Sequence, residues 1–325
     1  MKLNQKTCRC CGGSRFERCG YRNVYSFFWH FGLHIQTKIS YRGYGFFRKL
    51  FVNKLALLIN KLLNFLIEKF IRVENKIAYG GCLDCNFVSL WPELSDESLL
   101  DYYSFYLTDK YRQERGRTDP LYPTISKKHG SAYELLKRRK QNDDFIAPIL
   151  EGYLANSGRD SLKMLDYGGG SGQVAPLFDW IDVDIYDVDH KSIRSLSNKN
   201  SLKLSIKHPK NFKSSYDFVQ LLHVIEHVGH PLNTVRSAVE YLKTDGLLFI
   251  EVPWEMLNFN EQTESTIIVC DEHINKFCDL SLNNMMKNLG LKVLSCCGDY
   301  VTLEHTDSPL KVIRCLVQKS KTFIK

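Results

Sequence analysis

Three groups of residues in this 325-residue chain have types and spacings that can do chemistry. The first is Leu165-Asp166-Tyr167-Gly168-Gly169-Gly170-Ser171-Gly172. Glycines at 168, 170 and 172 allow a tight turn and a close approach to a ligand, because no Cβ stands in the way. Amides exposed where such a loop opens a helix suit a carboxylate or a phosphate. A dinucleotide fingerprint would read G-x-G-x-x-G; here Gln173 stands where its third glycine belongs. The second group is a pair of CxxC spacings, Cys8–Cys11 and Cys82–Cys85. Four thiolates from two such knuckles close a tetrahedral zinc site, structural rather than catalytic because no ligand position stays open. Cys10 competes with Cys8, but a C-x-C pair fits a knuckle less well, and Cys11-Gly12 suits the tight turn. The third group is Glu226-His227, with His223 four residues before His227 and His273 later in the chain, behind Asp271 and Glu272. An imidazole oriented by a carboxylate can take a proton from a substrate. The same pair at a strand–helix corner can instead cap the helix or brace the loop.

Elements must hold these groups in place. The length accommodates one large domain and a smaller one. Eleven cysteines, an odd count with CxxC pairs and no apolar leader at Met1–Thr7, point to metal binding over disulfides. A cytoplasmic protein is the expectation. The first 90 residues hold 15 Lys/Arg against 4 Asp/Glu, while the rest of the chain is slightly acidic. Such asymmetry fits either an anionic partner or a solvated basic face.

From Leu162 onward strands and helices alternate. Short apolar runs at Leu162–Asp166, Ile181–Val188, Phe218–Leu222 and Leu247–Val252 read as buried strands. Helices are predicted at Ser131–Leu154, Gln173–Trp180, Leu232–Leu242 and Leu280–Leu289, the last ending at Gly290. Strands at Leu291–Ser295 and Lys311–Gln318 close the chain. This alternation predicts an α/β fold with a parallel, doubly wound sheet. Before it, residues 1–125 form a zinc-knuckle module and residues 126–325 the catalytic domain. The module carries an inserted amphipathic helix at 46–72, with Lys49, Lys54, Lys61 and Arg72 on one arc and Leu55, Leu58, Leu62 and Phe65 on the other. It is too interrupted to span a membrane. It packs on the core, forms a dimer surface, or lies in the inner membrane face. A tyrosine-rich helix at 95–111 and a linker at 112–130 follow.

Asp166-x-Gly168-x-Gly170-x-Gly172 resembles motif I of class I methyltransferases that use S-adenosylmethionine (SAM). Tyr216–Val228, with its Glu226-His227, resembles the fourth-strand motif of that family. Leu242–Pro253 resembles the element around its fifth strand, and His273 with Phe277 the element before its last helix. The resemblance implies a Rossmann-like methyltransferase sheet. It implies that the loop (Asp166, Gly168, Gly169, Gly170, Gly172) lies against SAM. It also implies that an acid after the second strand holds both ribose hydroxyls, Asp189 by register with Asp187 second. A carboxylate can accept both hydrogen bonds of such a diol. His223 then faces the cofactor. His227 is the expected base, oriented by Glu226, with His273 the second candidate. The third-strand region, Leu202–Ser215, lacks the family's usual Asp beside the adenine.

Cys82–Asp101 further resembles the N-terminal module of sugar methyltransferases from antibiotic and surface-polysaccharide pathways. The acceptor implied is a small molecule, a sugar or a nucleotide- or lipid-linked sugar. Two other readings stay open. One is RNA or protein methylation, carried by the basic N-terminal part alone; nucleic acid is disfavoured because the Asn/Asp-Pro-Pro-Tyr signature is absent. The other is a SAM-fold protein that binds without catalysis.

Overall fold

Short apolar runs make strands that are buried on both faces, as parallel sheets require. The computed structural model describes residues 7–23, 76–91, 132–188, 212–255, 273–301 and 309–320, and the single positions 99, 109, 111 and 113. The expected helix at 46–72, Asp189, Asp271, Glu272 and most of the tyrosine-rich segment lie outside the described residues.

Four strands, β4 (Leu162–Tyr167), β5 (Ile181–Tyr186), β6 (Tyr216–Leu222) and β7 (Leu242–Pro253), run parallel in the order β5-β4-β6-β7. The sheet continues through β10 (Leu310–Gln318) to β9 (Lys292–Val301). Both of these pair antiparallel, so the fully parallel sheet expected is a mixed one. The cause is the short connection 302–309, which allows a hairpin but not the dozen or more residues of a parallel crossover. Helix α1 (Ala132–Ser157) covers one face, with Ile146 and Leu150 against Met164, Ile185 and Phe218. Phe145 stacks on Phe249 at 5.2 Å between ring centroids. Helices α2 (Pro231–Tyr241) and α3 (Asp279–Asn288) cover the other face, burying Val235, Val239, Leu282 and Met285. Pro231 starts α2, where its missing N–H costs nothing, and Gly290 at φ +70° ends α3.

The helix expected at Gln173–Trp180 does not form; the segment is a series of turns. Pro176 explains this. It has no N–H to donate and disfavours the helical region for Ala175 before it. The chain settles for tight bonds, Gly172 N to Gly169 O at 2.8 Å and Ala175 N to Gly172 O at 3.3 Å.

A second sheet is built from β1 (Phe16–Asn23), β2 (Lys76–Cys82) and β3 (Val88–Trp91), all antiparallel. Its fourth strand, β8 (Asn275–Lys276), comes from the catalytic half of the chain, pairing Ser89 with Asn275. The N-terminal module and the catalytic half thus share one sheet, and β8 begins two residues after His273.

Candidate active site and metal centre

The order of the parallel strands reverses between β4 and β6, and in open α/β sheets ligands bind at the carboxyl ends beside such a switch point. The glycine loop leaves β4 there. Gly168 N donates to Tyr186 O at 2.7 Å and Gly170 N to the Asp187 carboxylate at 2.8 Å. Gly168 sits at φ +79°, and a Cβ on it would lie 2.6 Å from Val224 Cγ2. The loop therefore rests directly on the turn that follows β6. A Cβ on Gly169 would collide with the Asp166 carboxylate.

Asp166 is buried under this loop and accepts a hydrogen bond from Gln220 Nε2 at 2.9 Å. Gln220 in turn accepts from Asn142 Nδ2 at 3.3 Å, a polar chain that crosses from α1 through β6 to β4. Burial pushes the Asp166 pKa up to about 6, against the pull of Gln220 and with help from Asp187. Neither Gln220 nor Asn142 was singled out from the sequence. A glutamine within the otherwise apolar Phe218-Val219-Gln220-Leu221 was the available signal.

Asp187 stands directly after β5, facing the loop; Asp189 is outside the described residues. Asp217, in the fourth-strand motif, is structural. It takes hydrogen bonds from Lys163 N and Lys243 Nζ and an ion pair from Arg159 at the amino end of β4.

The turn after β6 carries the histidine–glutamate group. His223 adopts φ +54° and lies between two carboxylates, with Nδ1 3.2 Å from Glu226 Oε1 and Nε2 3.2 Å from Glu251 Oε1. Burial favours its neutral form, but these two hydrogen bonds outweigh it and raise its pKa. Arg314 Nε donates to Glu251 Oε2 at 2.8 Å and Arg314 Nη1 to Asp299 at 2.6 Å. Burial opposes ionisation of Glu251, yet His223 and Arg314 hold it down at about 2. His223 thus meets two carboxylates at the carboxyl end of β6, the end of the sheet where the resemblance places SAM. Glu251 was also missed, although a lone acid in Phe249-Ile250-Glu251-Val252 marks a built interaction.

His227 and His273 meet edge-on, with ring centroids 4.9 Å apart, and Glu226 is buried between them and His223. Burial lowers the His227 pKa to about 4, Glu226 opposing and His273 and His223 adding to the effect. It is neutral at pH 7 and a weak base. His273 Nδ1 is 3.2 Å from Glu255 Oε2, which Lys276 Nζ also approaches at 3.4 Å. Asn275 ties the segments together: its N donates to Glu226 O at 3.0 Å, and its Nδ2 to Ile225 O at 3.0 Å and Val228 O at 2.6 Å.

The cysteines converge as their spacing predicts. Sγ atoms of Cys8, Cys11, Cys82 and Cys85 all lie within 4.8 Å of one another. Cys8 and Cys85 are 3.8 Å apart, and Cys11 and Cys82 3.6 Å. Sulfurs about 2.3 Å from a tetrahedral zinc stand about 3.8 Å from each other, so the spacing fits such an ion and is far too long for a disulfide. Burial pushes the Cys82 thiol up to about 12; a bound dication reverses that preference. Cys10 stays out of the set and donates to Ser281 O at 3.0 Å. Arg9 of the same knuckle donates to Gly229 O at 2.7 Å, two residues after His227. The knuckle is thereby clamped to the turn that carries Glu226. Among the described residues no helix is long and apolar enough to cross a membrane.

Residues 136–296 match the family described as "Methyltransferase domain". No curated protein matches the chain in sequence. Solved structures that resemble it include a SAM-dependent methyltransferase from Methanosarcina mazei, 13% identical, TM-score 0.42, covering 53% of this chain and 97% of that one. Another is a SAM-dependent methyltransferase from Aquifex aeolicus, 15% identical, TM-score 0.38, covering 60% and 97%. A third is the cyclase SpnF, 11% identical, TM-score 0.40, covering 49% and 75%.

Proposed function

Residues 136–296 being a methyltransferase domain, we propose that the chain transfers the methyl group of SAM to a small-molecule acceptor, a sugar or a nucleotide- or lipid-linked sugar. The observation that carries this reading is the meeting of the Gly168–Gly172 loop with the Val224–His227 turn at the strand-order reversal. The loop, Asp166 and Asp187 would hold SAM, Asp187 taking the ribose hydroxyls from its place directly after β5. SAM supplies an already activated methyl group, so the protein has to align an acceptor and provide for its proton. The turn bearing Glu226 and His227, with His273 packed against it from the segment before β8, is where an acceptor hydroxyl would sit. His227, neutral and beside Glu226, is the nearest group of the right type to accept that proton, though its depressed basicity makes unaided abstraction slow.

We assign the four cysteines a structural zinc, whose knuckle braces the acceptor side through Arg9 and the shared sheet. The test is incubation with methyl-labelled SAM and a panel of nucleotide sugars, RNA and protein. Label in a sugar is expected. Label in RNA or protein alone would overturn the acceptor class.

A further inference from the structure

We propose that Glu226, His227 and His273 bind a divalent metal ion, a second site besides the four cysteines, placed to hold an acceptor oxygen beside the glycine loop. Its role rests on the methyl-transfer reading above; its existence does not.

One ligand atom from each of the three residues lies within 4.8 Å of the other two. They come from two segments far apart in sequence, and Asn275 pins those segments to each other by three hydrogen bonds. Glu226 is 1% exposed, and its Oε2 has no hydrogen-bond partner among the described residues. A buried carboxylate oxygen left in that condition is costly unless a cation meets it. Three carboxylates surround the imidazoles. Arg314 balances Glu251 and Lys276 balances Glu255, while among the described residues Glu226 has only histidines beside it.

Each end of the ligand set also has an outer partner, as metal-binding histidines and carboxylates do. Glu255 stands 3.2 Å from His273 Nδ1. His223, itself held by Glu251, stands 3.2 Å from Glu226 Oε1. Two imidazoles and one carboxylate suit Zn²⁺, Mn²⁺, Fe²⁺ or Co²⁺ rather than Mg²⁺ or Ca²⁺, and three protein ligands leave coordination positions open to a substrate oxygen. A hydroxyl bound there is acidified and can lose its proton to solvent, so with the ion in place His227 acts as a ligand and is not needed as the base. The location fits, since Val224, one turn before His227, is the residue on which Gly168 rests.

The test uses the full chain with its cysteine zinc in place, titrated with Mn²⁺, a hard ion that thiolates disfavour. Bound Mn²⁺ is counted by electron paramagnetic resonance, and SAM binding is measured on the same samples. One Mn²⁺ per chain is expected. Glu226→Gln and His273→Ala should each weaken it at least about tenfold, and Glu255→Gln about 10- to 100-fold. His230→Ala, exposed at the start of α2, should leave it unchanged. Circular dichroism and zinc content verify folding, and His273→Ala stands in if Glu226→Gln does not fold. Folded wild type that binds neither Mn²⁺ nor Co²⁺ beyond the cysteine site overturns the proposal. So does Mn²⁺ binding undiminished in the folded ligand variants. If SAM binds and Mn²⁺ does not, only this inference fails. If Mn²⁺ binds and SAM does not, the methyl-transfer reading fails and the metal site stands.

Discussion

Gly168→Ala probes the junction on which the site depends. Gly168 has φ +79°, a conformation that costs an ordinary L-residue about 1–2 kcal/mol. Its new Cβ would also lie 2.6 Å from Val224 Cγ2 and 3.2 Å from Cγ1, an overlap in a packed region that adds about 1–3 kcal/mol. Val224→Ala removes both methyls and leaves only its Cβ, 3.5 Å away, at ordinary contact distance. Alone, that change costs about 1 kcal/mol, because Val224 is only partly buried. The double variant should therefore recover about 1–3 kcal/mol of the Gly168→Ala loss, the overlap being relieved while the backbone strain remains. Urea unfolding of the four proteins measures this directly. SAM calorimetry should show the same pattern, about tenfold per 1.4 kcal/mol transmitted to the loop. Additivity within about 0.5 kcal/mol would refute the claim that the loop is seated on the turn after β6.

Two further outcomes are expected. The Asp166 pKa is raised by burial to about 6 from 3.8, so the folded state favours the protonated acid and loses stability as pH climbs through about 6. Asp166→Asn should therefore be more stable than wild type by up to about 3 kcal/mol at pH 8 and nearly equal at pH 3.5, while binding SAM less well; a stability gap that does not widen with pH counts against this account. Cys82→Ser should drop the metal content from one zinc per chain towards none and lower the melting temperature. Structural zinc contributes on the order of 10 kcal/mol to small modules, and the β1-β2-β3-β8 sheet hangs on this one. Unchanged zinc content by mass spectrometry would contradict the four-cysteine assignment.

Much of the catalytic half was legible because its signals are local. The runs around Leu165, Val219 and Ile250 are apolar and short, and glycine or proline lies beside the first and the last, so the strands and the glycine loop followed from periodicity and turn chemistry. The CxxC pairs were legible for a similar reason, since each knuckle is a local turn and only one pairing of two knuckles closes four thiols. What escaped was set by a local breaker, by connection length and by tertiary pairing. Pro176 overruled the apolar pattern of Gln173–Trp180. The antiparallel edge depended on the length of the 302–309 connection rather than on the residues of β9 and β10. That Glu251, in a neighbouring strand, holds one ring nitrogen of His223 is likewise a pairing between residues remote in the chain. Gln220, Asn142 and Glu255 act through partners remote in the chain, which the residues next to each of them do not reveal. The capture of β8 by the N-terminal sheet has no sequence signature, because two residues pair through backbone alone.

The central claim is that the loop at Gly168–Gly172 and the acid at Asp187 form a SAM site. Calorimetry of the full chain with SAM tests it most directly, on wild type and on Gly170→Arg and Asp187→Ala. The account predicts one site per chain in wild type, binding at least about tenfold weaker in Asp187→Ala, and no binding in Gly170→Arg, with all three proteins folded. Folded wild type that releases no heat with SAM, or an Asp187→Ala variant that binds as tightly as wild type, would contradict it.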